Sequence, residues 1–256
     1  MEGIRGQKRL LSFARRACDD YSMIEDGDVV AVGVSGGKDS LALLYTMAAL
    51  KRFYPKEFSL IAITIDPAFD EIGKPKADYE PIAKLCGELG VEYHVEKSDI
   101  AKIIFDIRKE SNPCSLCAKL RRGMLCDTAK KLGANKLALG HHFDDAVQTF
   151  MLNLFYEGRI GCFSPVSFLD RSGITVIRPF IYAQEKDLRY FTSAISLPIV
   201  ESECPANKNT EREEMKKLLA SIERENKGLR HRIFGAMQRA GIDGYKESKL
   251  KKYDDE

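Results

Sequence analysis

Asp28-Val-Val-Ala-Val-Gly-Val34-Ser35-Gly36-Gly37-Lys38-Asp39-Ser40-Leu-Ala-Leu-Leu44 is the stretch that decides the fold. Asp28 to Val34 is a continuous, largely β-branched run of the kind found in a strand buried on both faces. It stops at Ser35-Gly36-Gly37. From Lys38 the apolar residues change period, and Leu41, Leu43, Leu44, Met47, Ala48 and Leu50 trace a helical face broad enough to lie on a sheet. Buried strand, glycine turn and amphipathic helix together make the first half of a βαβ crossover.

The same alternation continues outward. Strand signals fall at Phe58 to Ile65, Val91 to Val95 and Lys136 to Leu139, and helix signals at Asp78 to Leu89, Ser115 to Leu132 and Asp144 to Tyr156. The predicted class is therefore α/β, a doubly wound, mostly parallel sheet with helices on both sides. After Gly158 the pattern weakens to a strand at Ile174 to Ile177, a helix at Gln184 to Ala194 and charged helices from Thr210 to Ala240. A basic amphipathic helix is expected over Met1 to Cys18. One domain over 1–256 is expected, with an N-terminal helix within 1–25 and a C-terminal helical extension over 205–256. No internal repeat is visible, and Lys246 to Glu256 reads as a low-complexity, solvated tail.

Composition narrows the class further. With 256 residues, 44% hydrophobic and 30% charged, the chain is neither a disordered tail, a collagen-like repeat nor a small disulfide scaffold. No apolar stretch approaches the roughly 20 residues of a membrane span, and Met1 to Arg16 has no cleavable apolar region, so a cytoplasmic protein is expected. Its 7 cysteines are then expected to be reduced thiols or metal ligands. A net charge of +2 does not announce a nucleic-acid partner, which must be argued from local patches such as Lys119, Arg121 and Arg122.

Three segments could carry chemistry. In Val34-Ser35-Gly36-Gly37-Lys38-Asp39-Ser40 the glycines let the backbone approach a ligand closely, and the helix start directs free N–H groups at it, so an anion belongs there. It is not a Walker A loop, which needs a Gly where Val32 stands and Ser or Thr where Asp39 stands. Gly140-His141-His142-Phe143-Asp144-Asp145 again follows a strand and opens a helix. Asp144 could simply cap that helix; if the loop faces the first one, Asp39 and Asp145 could share a magnesium ion bridging phosphates. Cys114-Ser-Leu-Cys117 permits a redox pair, half a zinc site or part of an iron-sulfur site, with Cys126, Cys162 and Cys204 as further candidates. Cys126 reads best as a buried apolar residue, while Cys204, in a loop before Pro205, is free to approach the pair.

Taken together, VSGGKDSLALL from Val34, PCSLCAKLRRGML from Pro113, GHHFDDAVQTFMLNLFYEGR from Gly140 and VIRPFIYAQEKDL from Val176 resemble the PP-loop ATP pyrophosphatase superfamily. Within it the chain is most similar to the tRNA 2-thiocytidine synthetase family, TtcA. That resemblance implies ATP across the strand ends, a cytidine C2 oxygen activated by adenylation, and sulfur displacing AMP. It implies a nucleotide site of Val34, Ser35, Gly36, Gly37, Lys38, Asp39, Ser40 and Gly140, and Mg2+ on Asp39 and Asp145. It also implies a 4Fe-4S cluster on Cys114, Cys117 and Cys204, with Arg121 or Arg122 beside it. Implied partners are tRNA, a sulfur donor such as a cysteine desulfurase or sulfide, and a second copy of the chain in a homodimer. Two departures from the family pattern stand out: Gln148 where Glu is usual, and a single cysteine, Cys204, where better-known members carry a C-x-x-C. The rival readings are a tRNA lysidine synthetase-like ligase, which needs no cysteine trio, and a non-catalytic nucleotide-sensing protein.

Overall fold

The computed structural model describes residues 6–109, 113–200, 204–205 and 211–248. Its strands are β1 (Asp28–Gly33), β2 (Phe58–Asp66), β3 (Glu92–Lys97), β4 (Lys136–Ala138), β5 (Val166–Leu169) and β6 (Ile174–Ile177). They form one sheet in the order β3-β2-β1-β4-β6-β5, parallel except for β5, which runs antiparallel to β6. The helices are α1 (Gln7–Tyr21), α2 (Lys38–Leu50), α3 (Glu80–Leu89), α4 (Pro113–Lys131), α5 (Phe143–Tyr156), α6 (Glu185–Ala194), α7 (Glu211–Glu225) and α8 (Leu229–Arg239).

Side-chain alternation in β1 divides the core. Val30 and Val32 join the apolar cluster beneath α1, α2 and α6, while Ala31 joins the one beneath α4 with Ile63, Ala129 and Leu137. All three β1 residues are fully buried, as a strand covered on both faces must be. On α2, Leu41, Leu43, Leu44, Met47 and Leu50 are fully buried. Each contributes about 1.5–3 kcal/mol of apolar burial, which holds the helix start against the sheet edge.

The chain leaves β1 toward β2 and later returns to lay β4 on the other side of β1, so the topology reverses between these two strands. Ligands bind at such a switch point, outside the carboxyl ends of the strands. The pairing of Val32 with Ala138 sets the two strand ends level. Buried Asp28 locks the opposite ends, accepting a hydrogen bond from Asn135 Nδ2 at 2.7 Å, with Lys136 Nζ at 3.5 Å.

Three features differ from the sequence expectation. β5 carries no sequence signal, because it is a four-residue edge strand whose Phe168 is 62% exposed and whose period is too short to read. The expected solvated tail is anchored where it begins: Tyr245 is buried, and Lys246 N–H donates to the Tyr21 hydroxyl at 3.3 Å while its ammonium lies 5.2 Å from that ring. Residues 249–256 of that tail, like 1–5 of the expected N-terminal helix, lie outside the described residues. The cap of α5 is His142 rather than Asp144.

Candidate active site

The end of β1 is held by its neighbours: Val34 N–H donates to Ile63 O at 2.8 Å, and Thr64 Oγ1 donates to Val34 O at 2.7 Å. Beyond it the glycine loop folds around two hydroxyls. Ser35 N–H donates to Ser40 Oγ at 3.1 Å, and that hydroxyl donates to Gly37 O at 2.9 Å. Gly36 sits at φ 83°, where a side chain is strained, and a Cβ there would meet Val200 Cβ at 2.9 Å. Val200 N–H donates to Gly36 O at 3.0 Å. The α2 cap, Gly37, supplies no side-chain bond, so the first amides of α2 remain available to an anion.

The second loop packs directly against the first. A Cβ on Gly140 would lie 3.1 Å from the carbonyl carbon and oxygen of Asp39, so glycine lets the two backbones approach. His142 and Asp145 form a reciprocal cap: Asp145 N–H donates to His142 Nδ1 at 3.4 Å, and His142 N–H donates to Asp145 Oδ2 at 3.1 Å. This fixes the Asp145 carboxylate at the mouth of a cavity of about 250 Å³ lined by Ser35, Asp39, Arg121, Gly140, His141 and Asp145, among others. Asp39 and Asp145 therefore face one cavity. The two histidines do not converge with the aspartates on an ion: His142 caps the helix, and among the described residues no group of three or more His, Cys, Asp or Glu side chains is arranged to hold one.

Cations cover the carboxylates. Lys38 Nζ lies 2.9 Å from Asp39 Oδ2 and 3.5 Å from Glu185 Oε1, and Lys216 Nζ lies 2.9 Å from Glu185 Oε2. Burial alone would raise the Glu185 carboxyl, yet Lys216, Lys38 and Arg189 outweigh it and hold the group at about 2. Arg212 Nη1 reaches Asp145 Oδ1 at 3.0 Å and its Nη2 reaches Thr149 Oγ1 at 3.0 Å. The Arg212 side chain is 46% exposed, so this pair contributes on the order of 1 kcal/mol or less. The pair between Arg230 and Asp144 is of another kind: the carboxylate is buried, accepts from Arg230 Nη1 at 2.7 Å and also from Glu185 N–H at 2.8 Å, and so ties α8, α5 and α6 together.

His141 lines the cavity with its Nδ1 buried and unpartnered. Burial, followed by the charges of Arg178, Arg212 and Arg122, pushes its imidazole down to about 3, so the ring is neutral. It leans on Phe163, with ring centroids 4.9 Å apart.

Arg121 leads from this cavity to a cysteine. Burial raises the Cys117 thiol, the neighbouring Arg121 guanidinium lowers it, and Cys204 and Cys114 raise it again, so both lie near Cys117. Arg121 thus stands between Cys117 and the cavity of the two aspartates. Cys126 is buried, as its sequence position suggests. Cys162 is elsewhere: its Sγ bonds to Ala146 O at 3.4 Å and lies 3.7 Å from the Tyr245 hydroxyl. Gln148 is buried in α5 as a neutral amide, which adds no further carboxylate to the acidic rim.

Reading the sequence alone misses Glu185, Arg212, Lys216 and Arg230. Glu185 opens a helix after a strand, a position shared with Asp39 and Asp145, and that signal could have found it. The three cations sit in charged helices with no local pattern to distinguish them from solvated residues.

The PP-loop domain family model matches residues 8–222. The tRNA-cytidine(32) 2-sulfurtransferase of Geobacter sulfurreducens is 40% identical over 233 residues, 90% of this chain and 89% of the relative. The protein of the same name from Cupriavidus metallidurans is 40% identical over 239 residues, 91% of this chain and 74% of the relative. Among solved structures, the U34-tRNA thiolase NcsA from Methanococcus maripaludis with its 4Fe-4S cluster superimposes with a TM-score of 0.74, at 24% identity, covering 96% of this chain and 82% of that one. At that identity the likeness establishes the shared fold.

Proposed function

Because the chain belongs to the PP-loop family and, within it, to the tRNA-cytidine(32) 2-sulfurtransferases, we propose that it uses ATP to replace the C2 oxygen of cytidine 32 in tRNA with sulfur. The observation that carries this reading is the position of Arg121, which lines the cavity of the two aspartates and also lowers the Cys117 thiol. Activation and sulfur delivery must meet at one carbon, and this residue adjoins both places.

The C2 oxygen of cytidine is a poor leaving group. In the proposed reaction it bonds to the α-phosphorus of ATP as pyrophosphate leaves; a sulfide-level sulfur then bonds to C2, and the oxygen departs with AMP. The first amides of α2, with the Ser35 and Ser40 hydroxyls, neutralise charge on the departing pyrophosphate. Asp39 and Asp145, facing one cavity, would hold Mg2+ against the phosphates. Neutral His141 adds no charge to the cavity and offers a hydrogen-bonding nitrogen without a partner.

Cys114, Cys117 and Cys204 would hold the 4Fe-4S cluster. A single ion takes all its ligands within about 2.3 Å, whereas a cluster assigns one thiolate to each iron. Two soft sulfurs near Cys117, those of Cys114 and Cys204, suit the wider demand. With three protein ligands the cluster would keep one iron open to sulfur. The same proposal includes a sulfur donor such as a cysteine desulfurase or sulfide, a cytoplasmic location with the tRNA, a single PP-loop unit over 1–256 and a homodimer. The described residues contain no helix long and apolar enough to cross a membrane.

The test is anaerobic incubation of the protein with ATP, Mg2+, sulfide, lysine and unmodified tRNA, followed by nucleoside mass spectrometry and position mapping. Appearance of 2-thiocytidine at position 32 with stoichiometric AMP is the expected result. Each Cys→Ala variant at 114, 117 and 204 should lose the visible absorption of the cluster and thiolation while retaining ATP binding. Lysine incorporation, or pyrophosphate release without sulfur transfer, would overturn the reading.

A further inference from the structure

The geometry points to α7 as part of the nucleotide site: Arg212, which pairs with Asp145, gives up that carboxylate to Mg2+ and takes the triphosphate instead. This rests on the ATP site of the proposed function and is independent of cluster, tRNA and sulfur.

The argument begins with charge. Asp39, Asp144, Asp145 and Glu185 crowd the edge onto which a polyphosphate must come, and every one of them already has a cation. These pairs are not equivalent. Asp144 is buried and bonded on both oxygens, and its Arg230 side chain is only 25% exposed, so that pair belongs to the fold. Arg212 is nearly half exposed, and its bonds to Asp145 and Thr149 are ones water can replace. Asp145 does not depend on it for position, because the His142 amide already holds Oδ2. The carboxylate thus remains in place when the guanidinium leaves.

Arg212 then has a replacement partner at hand. An Mg2+ ion on Asp39 and Asp145 brings phosphate oxygens to the same rim, and a planar guanidinium binds phosphate with two parallel hydrogen bonds. Lys216 lies one helical turn along the same face of α7 and holds Glu185, which anchors the helix while Arg212 exchanges partners. A cation that competes with the metal and cooperates with the nucleotide has a signature that a purely structural residue lacks.

The experiment measures two affinities on Arg212→Gln, without tRNA. Mn2+ alone, followed by its electron paramagnetic resonance, should bind tighter by up to about 5-fold, because the competing cation is gone. ATP with Mg2+, followed by calorimetry, should bind about 10-fold or more weaker. Arg230→Gln serves as the contrasting variant and should lose thermal stability without tightening Mn2+. Unchanged or weakened Mn2+ binding in Arg212→Gln, or unchanged nucleotide affinity, overturns the inference. If wild-type protein binds no ATP at all, the proposed function fails first, which the same calorimetry reveals.

Discussion

Replacing Gly36 by alanine tests the close packing of the glycine loop against Val200. Two costs add. An L-residue at φ 83° costs about 1–2 kcal/mol, and the new methyl, 2.9 Å from Val200 Cβ, forces an overlap costing about 1–3 kcal/mol. Alanine returns about 0.4–1 kcal/mol by restricting the unfolded chain, leaving a net loss of about 1–4.6 kcal/mol. For a chain of this size that lowers Tm by roughly 2–18 °C. The assay is urea unfolding of Gly36→Ala, Val200→Gly and the double variant, arranged as a cycle. Removing Val200 Cβ abolishes the overlap but not the φ strain, so the double variant should recover about 1–3 kcal/mol relative to additivity. A Gly36→Ala variant within about 0.5 kcal/mol of wild type, the range of an inconsequential surface substitution, or a coupling energy near zero, would show that the loop and Val200 are not in contact as described.

Asp39→Asn should remain folded but lose tRNA-dependent pyrophosphate release, since the carboxylate faces phosphates only with a cation between them; unchanged turnover removes Asp39 from the mechanism. Arg121→Ala with Arg122→Ala should weaken tRNA binding and flatten its salt dependence, measured by filter binding across ionic strengths. The His141 imidazole is held at about 3 when folded and returns to about 6.5 when unfolded. Between those values the unfolded chain binds the extra proton, so stability falls as pH drops, by up to about 1.4 kcal/mol per pH unit from this residue. Denaturant titrations at pH 5 and 6.5 should show a smaller difference in His141→Gln than in wild type.

What is legible in the sequence is periodic. Asp28 to Val34 and Leu41 to Leu50 have the two periods of a covered strand and a sheet-packing helix, and both elements lie where that pattern puts them. Ser35 to Ser40 and Gly140 to Asp145 are legible as turns between a strand and a helix, and both lie where that pattern puts them. β5 is not, since four edge residues carry no resolvable period. The cap of α5 escapes the sequence because a histidine can accept an amide bond as aspartate does. The cations on Asp144 and Asp145 come from residues 86 and 67 positions away, a distance over which charge pattern says nothing.

The hydrogen bond from Val200 to Gly36 O and the pair from Arg212 to Asp145 have a kinetic consequence. Each joins residues far apart in the chain, 164 positions in the first case (200 − 36 = 164) and 67 in the second. Contacts that close so much chain repay their loop-closure entropy only after it has been spent, so they form slowly. The loops that follow β1 and β4 are therefore covered late in folding, after the strands that end in them have paired.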